Sequence, residues 1–463
     1  MLFTSITFLI FFSIVYLIYW SIPSDKGKKW ILLLSSFVFY GTWSVSFLFH
    51  FLFFVLINYI FSVYLLQHKS KSILRLAVII NLLNLGVFKY FYFFTDTLYH
   101  ISGSSFFTEL SKGSFKILLP LAISFYTFQM LAYVIDSYRG DIKEKESLLD
   151  FTIFIMFFPQ LIAGPIMRSG DFIPELKKIK PNKEFIYPGM SFIILGVFKK
   201  VLIADSIAGI IDPIWNNPSE YSAISLILSI YGFSWQVYCD FSGYTDIARG
   251  VAYLLGFQIP ENFKAPYLAE SPKDLWRRWH ITLATWLRDY LYIPLGGSRT
   301  SELRSYFNLI VTFTLGGFWH GANWTYILWG FFHGVMLALE RLTERFQLTL
   351  TLQNKAGKYF RIVFTYHIFL VGVLFFRSNN MTSLWVMVKK ILTISPGVNA
   401  TGSETLVYLF ILGFLSQLPQ YFDKLPSGIV KYQKPLILFS SIVLLVSIGL
   451  YSRSGKEFVY FQF

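Results

Sequence analysis

The chain has 463 residues, of which 55 % are hydrophobic and 14 % charged, with Lys and Arg outnumbering Asp and Glu 40 to 26. Several uncharged runs are long enough to cross a bilayer core, so the composition excludes a water-soluble enzyme and indicates a polytopic membrane protein. Strand-period alternation is absent, which argues against a membrane β-barrel. The basic excess falls mostly in loops between the apolar runs, where it acts as a cytoplasmic topology signal, and no nucleic-acid partner is expected. The 51 Phe, 29 Tyr and 12 Trp suit lipid-facing surfaces with aromatic belts.

The first apolar run, residues 2–22, has no basic leader and no small-residue cleavage site, and reads as a retained membrane helix. Asp25, Lys26, Lys28 and Lys29 follow it with net positive charge, which places that loop inside and the N-terminus outside. The uncharged run 30–66 is too long for one crossing, so a turn near Gly41 is expected to split it. A helix over 72–94 leads out to a nearly neutral loop, and 117–135 returns. Pro159, Gly164 and Pro165 interrupt 151–167, which is therefore short or re-entrant.

Residues 185–204 lead out to a loop with Asp212 and Glu220, and 221–255 lead back to the largest polar stretch, 258–304, with an amphipathic segment at 276–292. Crossings are then expected at 362–376, 405–422 and 435–452, leaving the tail 453–463 outside. Arg377, Lys389 and Lys390 fall on the outer side and are assigned to an interfacial helix. The fold class that results is an all-α polytopic membrane protein with about ten to twelve transmembrane helices and re-entrant segments. No internal repeat or separate soluble domain interrupts it, so 1–463 reads as one membrane domain ending in an extracellular tail.

Between these lies an uncharged run, 305–339, whose 35 residues would make a helix of about 50 Å against a bilayer core of about 30 Å. The run must break, and Gly316, Gly317 and Gly321 mark the place, with His320 among them. An ionisable side chain at membrane depth is costly to keep and points to function. His333 in the same run reads as packing, and His50, His68, His100 and His367 as structural or surface residues. The single Cys239 allows no internal disulfide and reads as a small core residue. Asp240 and Asp246 flank Ser242 and Gly243 and suit a structural hydrogen-bonding role. Arg277, Arg278 and Arg288 suit a phosphate-bearing ligand at the cytoplasmic side, with a topology signal as the equal alternative.

Five stretches together resemble the membrane-bound O-acyltransferase family in its bacterial polysaccharide-acetylating branch. They are SFYTFQMLAYVID (124–136), FFPQLIAGPI (157–166), DFSGYTDIARG (240–250), WRRWHITLATWLRDYLYIPLGG (276–297) and GGFWHGANWTYILWGFFHG (316–334). Departures from the pattern fall at Cys239, Ala284 and Ser298 and touch neither histidine of the motifs. The resemblance implies a core enclosing a channel, with His320 as the near-invariant family histidine and His280 as the second active-site histidine. In a low-dielectric site the imidazolium is disfavoured, which leaves the neutral ring available as the base an acyl transfer needs. Asn323, close to His320, is a candidate to orient the imidazole or to donate to a thioester carbonyl.

The chain ends FVYFQF (458–463), which resembles a short aromatic C-terminal motif of the acetylating branch. A similar motif occurs in the small peptide that assists teichoic-acid D-alanylation, and by position its acyl-carrying tyrosine corresponds to Tyr460. An aromatic belt anchor is the alternative. The resemblance thus implies an O-acyltransferase in the bacterial cytoplasmic membrane, and the basic-loop pattern above places both termini outside the cytoplasm. It implies acetyl-CoA as donor, no metal, a secreted or membrane-anchored acetyltransferase- or esterase-like partner, and a polysaccharide acceptor. A D-alanyl transferase for teichoic acid remains the rival within the family, and a polysaccharide exporter or a scaffold without covalent chemistry the rivals outside it.

Overall fold

The computed structural model describes residues 1–104, 106–107, 110, 117–162, 164–346 and 354–421, all helices and connections, with only isolated bridges among the described residues. Two compact units result, Met1–Ile193 with Ala248–Pro260, and Ile194–Ile247 with the described residues from Glu261 onward. The expected crossing at 435–452, the tail 453–463 and Tyr460 lie outside the described residues.

In the first unit, α1 (Ile6–Ser21), α2 (Asp25–Gly41), α3 (Val45–His68) and α4 (Lys71–Ser102) follow one another through short turns. Serines set the starts. Ser24, Ser44 and Ser70 each accept a backbone N–H from the first turn of the next helix, supplying one of the partners that a helix N-terminus lacks. The run 30–66 does break, at 42–44, one residue beyond Gly41. Helix α3 is organised inside out relative to a soluble helix. It exposes Phe49, Phe53 and Ile60 and buries Asn58 and Ser62, as expected where lipid is the solvent and polar groups must find protein partners. Asn58 exchanges amide hydrogen bonds with Asn81 of α4 at 3.1 and 2.7 Å.

Helix α5 (Ile123–Arg139) is almost wholly buried. It is followed by α6 (Leu148–Met156) and the single turn α7 (Phe158–Leu161), parted at Phe157 with Pro159 in the new first turn. Nine residues rise only about 14 Å, so the segment is short, as its prolines require. Gln129 of α5 donates to Phe154 O at 2.9 Å, and Gln160 donates to Gln129 at 3.1 Å. Helix α8 (Ser169–Leu176) completes this part of the unit.

A continuous helical run over 186–216, here α9, contains a π-helical stretch at Phe198–Ala204, and α10 is Ala223–Leu254. Both contribute residues to each unit. The second unit continues with α11 (Pro272–Arg278) and α12 (Ile281–Leu287), then α13 (Glu302–His320), α14 (Trp324–Arg345) and α15 (Lys355–Arg377). It closes with α16 (Met381–Leu392) and α17 (Ser403–Tyr421). Of the residues assigned to an interfacial helix, Lys389 and Lys390 lie on α16, whereas Arg377 is the last residue of α15. Arg377 pairs with Asp212 at 3.3 Å, and Lys390 donates to Ser219 O at 2.6 Å.

Among the described residues three helices are both long and apolar enough to cross a membrane by themselves, α3, α4 and α15, and α1 is a shorter apolar helix. The other long helices have the length but carry polar residues: α10 alone holds Asp240, Asp246 and Arg249. In the second unit those two aspartates are buried against the π-helical stretch of α9. Lys199 pairs with Asp246 at 2.8 Å, and Lys200 with Asp240 at 2.7 Å and Asp205 at 2.8 Å. The stretch that carries both buried lysines is π-helical, a rare conformation found mostly as single turns inside α-helices.

Candidate active site

The run 305–339 breaks where its glycines and length predicted. Helix α13 ends on His320, Gly321 is extended at φ −166°, and α14 starts at Trp324 under an Asn323 cap. The two helices then pack closely. A Cβ on Gly317 would lie 2.2 Å from Tyr326 O, and one on Gly330 would lie 2.2 Å from Phe313 O, so side chains at either position would part the hairpin. The outcome is a histidine at the buried tip of a helical hairpin, 4 % exposed. Its ring stands edge to face with Trp329 at 5.0 Å and with Phe376 at 5.3 Å.

His280 arrives differently. It lies between the short helices α11 and α12 at φ 44° and ψ 52°, in the left-handed region that a residue with a Cβ seldom occupies. Such a conformation costs on the order of 1–3 kcal/mol and persists only where surrounding bonds over-determine it. Here an extended strap, 262–264, supplies them. Phe263 pairs with Trp279 as an antiparallel bridge, Lys264 N donates to Arg278 O at 2.9 Å, and Ile281 N donates to Asn262 O at 3.0 Å. Asn262 Oδ1 also accepts from Thr282 Oγ1 at 2.7 Å and Thr282 N at 3.2 Å. The imidazole, 1 % exposed, is met edge-on by Phe241 of α10 at 4.7 Å. Neither α11 nor α12, of seven residues each, is long enough to span a bilayer, and burial pushes the His280 pKa well below its usual value, which keeps the ring neutral.

The two imidazoles come within 6.4 Å, centroid to centroid. Beside them the second unit encloses a cavity of about 540 Å³ whose walls include His320, Gly316, Thr312, Trp276 and Trp329, with Leu283, Leu287 and Phe313 supplying apolar surface. The size falls within the usual range of small-molecule sites. Lys273, Arg277 and Arg288 also line it. The Arg288 side chain is 60 % exposed, so the cavity runs from a basic, accessible end to the buried His320.

Of the residues singled out from sequence, His320, Arg277 and Arg288 thus share one cavity, with His280 behind its wall. Arg278 is absent from that lining. It bonds Asp274 at 2.8 Å and reaches Lys264 O at 3.4 Å, bracing the strap. Asn323 accepts from Thr325 N at 3.1 Å and donates to Asn379 O at 2.7 Å, so its amide caps α14. His333 packs edge-on against Trp276 at 5.1 Å, and Cys239 is a buried core residue. Asp240 and Asp246 do serve structure, through the buried lysine pairs above.

Sequence reasoning missed Asn262, which anchors the strained histidine, and the partners Lys199 and Lys200. The only signal for the first was a short polar segment between Pro260 and Pro266. The signal for the second was a pair of lysines inside an apolar run.

A buried histidine on the wall of a largely apolar cavity with three basic residues in its lining, with a second buried histidine beside it, has the make-up of an enzyme site in a helical membrane protein. The family model of the membrane-bound O-acyltransferases matches residues 142–377, and the chain belongs to that family. It is an O-acyltransferase and a multi-pass membrane protein.

The probable alginate O-acetylase of Azotobacter vinelandii is 39 % identical over 395 residues, covering 84 % of this chain and 77 % of that protein. The peptidoglycan O-acetyltransferase of Helicobacter pylori is 36 % identical over 398 residues, 78 % of this chain and 73 % of that one. The teichoic acid D-alanyltransferase of Bacillus subtilis is 30 % identical over a shorter stretch of 270 residues, 55 % of this chain and 68 % of that one.

Proposed function

We propose that this chain is an O-acetyltransferase of the bacterial cytoplasmic membrane that moves acetyl groups from acetyl-CoA on the inner side to a polysaccharide on the outer side. The observation that carries the reading is the cavity whose lining includes Arg277, Arg288 and His320, with a second buried histidine, His280, 6.4 Å from His320. The guanidinium groups suit the phosphates of the donor, and the apolar bore suits its arm. At the buried end an acceptor hydroxyl attacks the thioester carbonyl, His320 takes the hydroxyl proton, the carbon–sulfur bond breaks and the thiol leaves with a proton. The two O-acetyl-transferring relatives support acetyl as the group moved, and an alginate-like or cell-wall polymer as the acceptor.

In this reading about ten to twelve crossings, some re-entrant, surround a channel. Both termini lie outside, and Tyr460 of the terminal FVYFQF receives the acetyl from the site. A secreted or membrane-anchored acetyltransferase- or esterase-like partner then passes it to the polymer. His280 acts beside His320 on the donor, and Asn323 holds the turn that presents His320.

The test is to incubate the purified full chain with labelled acetyl-CoA and map the label by mass spectrometry. Label on Tyr460, abolished by His320→Ala, is expected. Unlabelled Tyr460 together with full polymer acetylation by Tyr460→Phe would remove the relay, and undiminished transfer by His320→Ala would remove the base.

A further inference from the structure

The strap that supports His280 runs into a second left-handed residue. Ala265, directly after 262–264, lies at φ 45° and ψ 60° and is fully buried. Nothing local favours that conformation. Alanine carries a Cβ, and a residue before a proline, here Pro266, prefers extended backbone. The short ladder between the strap and 278–281 therefore has a left-handed residue at each end, His280 at one and Ala265 at the other.

The partners of the second come from far along the chain. Gln420 of α17 accepts from Ala265 N at 3.1 Å, and the same oxygen accepts from the Tyr238 hydroxyl of α10 at 3.1 Å. Gln417, on the same face of α17 three residues earlier, accepts from Tyr267 N at 3.2 Å. A backbone N–H can only donate, so each amide turns its oxygen to the strap. Tyr267 in turn stacks on Trp279, the neighbour of His280, with ring centroids 6.0 Å apart and planes at 21°. Buried backbone N–H groups are costly to leave unmade, so these two amides fix the end of the strap that the bonds to Asn262 do not reach. Helix α17 lies beyond residues 142–377, the span that matches the family model.

We propose that Gln417 and Gln420 are positioning residues of the active site. They lock the strap from the side of α17 and so hold His280 in its left-handed conformation near His320. The inference rests on the reading above in which His280 takes part in the transfer.

The experiment measures thiol release from acetyl-CoA, and the thermal midpoint, on the purified full chain in nanodiscs. Gln420→Ala is expected to lower kcat about tenfold or more, because a small displacement of a reacting group is costly. KM for acetyl-CoA should stay within about twofold, since neither the strap nor α17 lines the cavity among the described residues. Gln417→Ala, which loses a single bond, should lower kcat about threefold, and it carries the test if Gln420→Ala fails to fold. Gln420→Glu keeps an acceptor oxygen and should hold kcat within about twofold of wild type. Ser416→Ala is the control on the same helix, because it removes a bond to Gly413 O without touching the strap, and kcat should not change. Wild-type kcat in Gln417→Ala and Gln420→Ala, or an equal loss in Ser416→Ala, overturns the positioning role alone. Wild-type kcat in His280→Ala overturns the reading of His280, and the inference with it.

Discussion

His320 and His280 come within 6.4 Å of each other by opposite means. His320 stands at the end of a regular helix, placed by a hairpin whose close packing depends on glycines. His280 stands on a single left-handed residue between two seven-residue helices, placed by a strap that pairs with it from 16–18 residues earlier in the chain. One position follows from local regularity. The other follows from its interruption, and is maintained by bonds to residues with no chemistry of their own. In this site, then, the histidine outside the cavity lining, His280, is the one most dependent on distant support.

The largest effect should come from the helix-borne histidine. His320→Ala should lower kcat by about 10²–10⁴-fold, the usual worth of a general base, in protein that still elutes as a folded species, and thioester turnover measures it. Next is the foundation on the other side. Asp246→Ala leaves Lys199 buried without its 2.8 Å partner and should cost about 3–5 kcal/mol, seen as a lower thermal midpoint of the purified protein. That loss would loosen α10, whose Phe241 bears on His280.

Asn262→Ala tests the strap directly. It removes both bonds to Thr282 and should cost roughly 1–3 kcal/mol. It should also reduce kcat by about tenfold or more, because misplacing a reacting group by an ångström is expensive. If kcat stays at the wild-type value while stability falls, His280 does not depend on the strap and the contrast between the two histidines weakens. The smallest effect belongs to Asn323→Ala. As the cap of α14 it should cost about 1 kcal/mol of stability, with turnover reduced less than in Asn262→Ala.

Much of the site was legible before the structure. A 35-residue uncharged run has to break inside a bilayer, and it breaks beside the one histidine its glycines surround. The motif around His280 identified that residue, but its spacing suggested one amphipathic helix over 276–292. The structure instead interrupts the helix at Trp279 and His280. Helical periodicity cannot report such a break, because the bonds that stabilise it come from 262–264. Likewise Asn323 and Arg278 carry chemistry suited to a ligand, yet their nearest partners are a helix terminus and a carboxylate. Residue type does not say which of several satisfactory partners lies within reach.

The amino-acid sequence by itself determined the solvent, the helical class, the family and the two histidines, since these depend on hydropathy, run length and motif order along the chain. Tertiary structure alone decided that the histidines come within 6.4 Å and that Lys199 and Lys200 pair with Asp246 and Asp240. The physical reason is the same in each case. Buried polar groups must be satisfied, and only the packing of segments far apart in sequence settles which partner each one finds.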